Sequence, residues 1–192
     1  MSKVKLKQQQ RRSQIIETAI PLICSVPFDE LSVAEICEAA GISVGTFYHY
    51  FQKKSDLLIG LLGLIDEFLE EDVFPLLTCE DEIENLKLFA HGWAKHVEAH
   101  GLERSKLISS IEPVDTEPGG AKRAAVVKLE EIISRGQEKG QIIPEPDAAA
   151  LAEIFLLAFR GVTTDWSRHN GSYSVIEKMD MYIALFTRAL RP

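Results

Sequence analysis

The chain has 192 residues, enough for one large domain or two small ones. Hydrophobic residues make up 46% and charged residues 26%, a balance that excludes a disordered chain, and no run of 18 apolar residues exists to cross a membrane. The net charge of −8 argues against a nucleic-acid partner until its distribution is read: residues 1–55 carry seven Lys or Arg against five Asp or Glu, a balance of +2, while residues 56–192 carry fourteen against twenty-four, a balance of −10.

The first twelve residues hold five basic side chains and no acid. They lack an apolar core, so they are not expected to be a secretory signal. They read as a basic arm, either solvated or tracking a phosphate backbone. Cys24, Cys37 and Cys79 have no paired spacing. They are expected to be reduced and mostly buried, in a cytoplasmic protein.

Helical spacing runs nearly throughout. Ile15, Ile16, Ala19, Ile20 and Ile23 line one face of a first helix, which Pro21 should bend. The second helix starts at Ser32, where SVAE forms a capping box, and ends at Gly41, which suits the left-handed position after a helix. Ser43 caps a short third helix. Phe47 and Phe51, four residues apart, face the core with Ile36. Val44, Gly45 and Thr46 are left at its leading end, with Tyr48, His49 and Tyr50 on other faces.

A long fourth helix is expected from Ser55 to about Val73, softened by Gly60 and Gly63 and stopped at Pro75. A fifth should run over 80–100 and a sixth over 103–111, followed by a loop over 112–120. The seventh is expected over 120–138, ended by Gly140. The eighth opens near Pro146 and is apolar almost all round from Ala148 to Val162, so it must be covered on more than one side. The ninth, over 173–190, carries a stripe of Val175, Ile176, Met179, Ile183, Phe186 and Leu190.

The expected fold is therefore all-α with about nine helices. A three-helix head over 1–54, with its basic arm, is joined by a long helix to a helical bundle over 55–192. The second helix, the turn at Gly41 and the third helix make a helix-turn-helix, whose second helix lies in the major groove of double-stranded DNA. Small residues at the tip let the backbone approach the bases. Tyr48, His49 and Tyr50 can bond phosphates, and Lys53 and Lys54 add charge at the start of the fourth helix.

The stretch from "IIETAIPLICSVPFDELSVAEICEAAGIS" through "VGTFYHYFQKKSDLL" resembles the TetR (tetracycline repressor) family of bacterial transcriptional regulators. The match is closest in SVAEI, AGIS, GTFYHYF and KSDLL, about one quarter of the chain. The resemblance implies a homodimer on a palindromic operator, usually repressing and released by a small-molecule inducer bound in the C-terminal domain. By position it also implies DNA contacts from Ser32, Val44, Gly45, Thr46, Tyr48, His49 and Lys54, to which the small tip residue Ser43 and the charge of Lys53 add two candidates from the motif itself. Pro27 stands where the family usually has Gly, and Lys53 where it has a small polar cap.

Phe68, Phe89, Trp93, His96, Phe155, Phe159 and Trp166 read first as core and, as a group, as an apolar ligand cavity. His96 and His100 have metal-ligand spacing but no evident third ligand, so no metal or cofactor is expected. The two C-terminal helices are expected to pair with their copies in a dimer. No catalytic constellation is visible. A binding module whose head no longer reads DNA is the alternative, and a small helical enzyme a remote third.

Overall fold

The computed structural model describes residues 3–110 and 122–192. Its described residues form eight α-helices and no strand, and they divide into two compact units between Leu64 and Ile65. No helix among them is long and apolar enough to cross a membrane. The loop expected over 112–120 lies outside the described residues.

In the first unit, α1 spans Lys3–Ser25 and runs through Pro21. Pro21 and Glu17, whose carbonyl loses its helical donor there, are both exposed. Water can take the place of the missing amide, which is the compensation the sequence alone did not show. The basic stretch is not an extended arm: residues 3–12 are the opening turns of α1. A 3₁₀ turn at Phe28–Glu30 leads to α2 (Val33–Ala39). Ser32 closes a full capping box, accepting from the Glu35 amide at 3.2 Å while its own amide donates to Glu35 Oε2 at 2.8 Å.

Gly41, at φ +63°, ends α2 with two bonds: its amide to Glu38 O at 3.1 Å and the Ile42 amide to Cys37 O at 2.9 Å. The chain then turns into α3 (Val44–Tyr50), capped by Ser43 Oγ on the Thr46 amide at 3.0 Å. Ile15, Ile16, Ile36, Phe47 and Phe51 are all at most 2% exposed, as the spacing predicts. α4 (Asp56–Phe68) begins in this unit. A Cβ on Gly60 would overlap Ile16 Cδ1. Gly60 therefore serves close packing of α4 on α1, where softening was expected.

The second unit begins with the last turn of α4. The winding continues through a π turn (Leu69–Val73) and a 3₁₀ turn (Phe74–Leu76) that contains Pro75. α5 (Glu82–Ser109) consists of two helical segments on either side of a kink, matching the helices expected over 80–100 and 103–111. Gly101 breaks the geometry between them at φ 80°, ψ 179°, but helical winding resumes beyond it. Counting the kinked pair as one element gives eight helices where nine were expected.

α6 (Ala124–Glu138), α7 (Ala148–Arg168) and α8 (Val175–Ala189) complete the unit. Asp81, Asp147 and Ser174 cap α5, α7 and α8 through side-chain oxygens. Pro146 lies just before the cap Asp147, outside the first turn where it was expected. α5 packs on α6, α7 and α8.

Candidate functional site

α3 is seven residues long, or about 10 Å. So short a helix is marginal alone, and Gly45 costs it ~1 kcal/mol relative to Ala. Two buried rings offset this. Phe47 and Phe51 are 0% and 1% exposed with centroids 5.1 Å apart, and burial of each contributes about 2–3 kcal/mol.

The outer face is open. Val44 is 45% and Tyr48 54% exposed, and Ser43, Gly45 and His49 are exposed as well. Thr46 is half-buried, its hydroxyl 2.9 Å from Ser43 Oγ. Tyr48 stands edge-on to Phe47, and His49 edge-on to Tyr50. A Cβ on Gly45 would meet nothing nearer than Ser43 Oγ at 3.8 Å. Nothing within the chain requires glycine there.

The lysines divide. Lys53 is exposed, whereas Lys54 is turned inward. Its Nζ donates to the carbonyls of Phe28, Asp29 and Leu31 at 2.7, 3.3 and 2.9 Å and lies 4.7 Å from the Phe28 ring centroid. An ammonium has three donors, and all three are engaged. Lys54 therefore braces the turn before α2 instead of extending a charge outward. The start of α4 is also occupied, because Asp56 Oδ2 accepts from the Gln52 and Lys53 amides at 2.8 and 3.1 Å. That carboxylate stands where an anion was expected. Arg12, from the basic stretch, lies over the Phe51 ring at 5.1 Å and donates to Asp56 O. Ser32 remains exposed at the start of α2.

In the second unit, Phe89, Trp93, Phe155 and Phe159 come together. Phe159 lies 6.0 Å from Phe89, 5.6 Å from Trp93 and 6.1 Å from Phe155 by ring centroids. Phe68 and His96 pair at 4.5 Å, and His96 stacks on His100 at 4.1 Å. Trp166 is committed to the turn after α7, where its Nε1 donates to Tyr173 O at 2.8 Å. Burial, then the neighbouring charges of His100 and Arg104, push the His96 pKa down to about 3, so the imidazole is neutral at pH 7.

Thr163, buried on α7 four residues past Phe159, was missed by the sequence reading. Its place on the core face of a nearly charge-free helix was the available signal. Among the described residues no group of three or more His, Cys, Asp or Glu could hold a metal.

A capped, phenylalanine-backed α3 with an open tip defines a helix-turn-helix DNA-binding regulator. Residues 15–61 match the model of the bacterial regulatory proteins of the tetR family. AcuR, a transcriptional regulator of Cereibacter sphaeroides, is 25% identical over 77% of this chain and 72% of its own. Other curated relatives reach 34% and 37% identity but are matched over 38% and 43% of their lengths.

The crystal structure of FadR from Bacillus subtilis in complex with stearoyl-CoA is 20% identical, with a TM-score of 0.70 over 93% of this chain and 98% of that one. The structure of AibR with isovaleryl coenzyme A and operator DNA is 22% identical, with a TM-score of 0.60 over 91% and 97%. At these identities the likeness shows a shared fold. Over residues 15–61 the chain is similar to the tetR-family regulatory proteins, and the curated relatives it matches are transcriptional regulators.

Proposed function

We propose that the protein is a homodimeric repressor that grips a palindromic operator with the tip of α3 and lets go when a small molecule binds its second unit. The supporting observation is the contrast within α3. Two rings anchor it from behind while Val44, Gly45, Tyr48 and His49 face outward with no internal duty. Tyr48, Ser32 and Lys53 would contact phosphates, and Thr46 and His49 base edges.

Dimerisation rests on a second apolar face. Ile154 and Leu157 on α7 are 38% and 57% exposed, and Met181, Tyr182 and Leu185 on α8 are 55%, 38% and 60% exposed. Paired with their copies, these helices would form an isologous four-helix interface. Residues 1–54 would then be the DNA-binding domain and 55–192 the effector and dimerisation domain. α4 joins the two. At its C-terminal end, Asp66 is buried against Arg123 Nε at 2.8 Å and accepts from the Ala125 amide, so a shift at the start of α6 would pull on α4.

The FadR and AibR structures are complexes with stearoyl-CoA and isovaleryl coenzyme A. We take the effector of this chain to be an acyl compound as well. An effector shifts the equilibrium only by its differential affinity for the DNA-binding and released states. The test is fluorescence anisotropy with duplexes from the region upstream of the protein's own gene, with and without octanoyl-coenzyme A. Saturable binding reversed by the thioester supports the reading. Absence of binding to every upstream duplex contradicts it.

A further inference from the structure

Three buried side chains of the second unit carry polar atoms that the described residues leave without a hydrogen-bond partner: Trp93 Nε1, both ring nitrogens of His96, and Thr163 Oγ1. Trp93, His96 and Thr163 are 6%, 4% and 7% exposed. An unsatisfied buried group of this kind destabilises a fold. Thr187, the unit's other buried threonine, avoids that cost by donating to Ile183 O at 2.7 Å. Thr163 makes no such bond.

Trp93 and His96 lie on α5 and Thr163 on α7, two helices that pack on each other. At one end of this contact Trp93 faces Phe159 at 5.6 Å, and at the other Thr164 donates to Ser109 at 3.2 Å. His96, three residues past Trp93 on α5, lies against Phe68 with ring centroids 4.5 Å apart, and Thr163 is four residues past Phe159 on α7. The group is rich in donors, although the imidazole and the hydroxyl can also accept. An indole N–H only donates, and a neutral imidazole and a hydroxyl can each donate one proton. Arg104 adds a positive field, visible in the direction in which it moves His96.

We propose that Trp93, His96 and Thr163 hold the oxygen acceptors at the acyl end of the effector, with its apolar remainder against Phe89 and Phe159. The proposal rests on the reading of this unit as the effector-binding one. A carboxylate or a thioester carbonyl supplies the required acceptors. An alkylammonium of the same length supplies donors and a charge of the wrong sign.

The test is calorimetric titration of the full chain with isovalerate and octanoate, with their coenzyme A thioesters, and with octylamine. An acid or a thioester should bind and octylamine should not. Whichever of the first two binds tighter identifies the source of the oxygens. Thr163→Val and His96→Phe should each weaken the bound probe at least about tenfold. Each should also raise the melting temperature of the ligand-free protein, because an unpaired group is removed. A purely structural role would lower it.

Unchanged affinity in both variants, lower melting temperatures in both, preference for octylamine, or binding of none of the probes would overturn the proposal. Failure of the repressor reading is detected separately, by loss of DNA binding in the unmodified protein.

Discussion

The ammonium of Lys54 lies 2.7 Å from the carbonyl oxygen of Phe28, twenty-six residues earlier in the chain, and shares its other donors with Asp29 and Leu31. It stitches the start of α4 to the turn before α2. Replacing it with methionine should cost about 2 kcal/mol, since charge-assisted bonds to three carbonyls are lost. The salt dependence of DNA binding should stay the same. Lys53→Ala should instead lower the slope of log affinity against log salt by about one. Urea unfolding and salt-titrated anisotropy check both halves. A shallower slope for the Lys54 variant would mean that its ammonium reaches a phosphate.

Gly45 separates fold from function. Open space surrounds its Cα, so Gly45→Ala should stabilise α3 by up to ~1 kcal/mol. The added methyl would stand at the tip that meets the duplex, so operator affinity should fall about tenfold or more. A melting scan paired with a DNA titration reads the two effects. A variant that gained stability and kept its affinity would place the duplex elsewhere.

His96 makes stability depend on pH. Its folded pKa, near 3, lies below the ordinary value of about 6.5 that it regains on unfolding. The unfolded chain therefore binds the extra proton between these values, and stability falls as pH drops from 6.5 toward 3. The slope from this one group is at most about 1.4 kcal/mol per pH unit. Glu82 contributes with the same sign at lower pH. Burial raises its pKa, but hydrogen bonds from Arg135, Lys139 and Asn85 outweigh that and bring it down to about 2. Measurements between pH 5 and 6.5 isolate the histidine. His96→Phe should flatten the dependence there, and an unaltered slope would rule out a buried neutral imidazole.

Leu157 on α7 and Leu185 on α8, at 57% and 60% exposed, test the assembly. Leu157→Glu or Leu185→Glu should leave the helical content intact and halve the mass seen by sedimentation. A mass unaffected by either change would place the dimer contact on another face.

How much of this was legible in the sequence depended on distance along the chain. The Ser32–Glu35 box, the Gly41 turn and the Phe47–Phe51 pair are local, set by spacings of three to five residues, and each is found where the pattern predicts. Lys54 was read as a phosphate contact because its carbonyl partners lie 23–26 residues away. Gly60 was read as a soft point because Ile16, which fills the space beside it, belongs to another helix. The two helices expected over 80–100 and 103–111 are found on either side of the break at Gly101. The burial of Thr163 could be read from the core face of α7, but its missing partner could not. A hydroxyl without a partner can be recognised only after the surrounding atoms are in place.

The central claim is that two copies of α3 read the two halves of a symmetric DNA sequence. Selection of bound duplexes from a random-sequence pool tests it most directly, with the wild type and His49→Ala run side by side. The wild type should enrich an inverted repeat whose half-site centres are separated by one helical turn, about 34–36 Å, or a multiple of it, and the variant should shift the preferred bases within each half. Enrichment of no inverted repeat, or of the same bases by both proteins, would contradict the account.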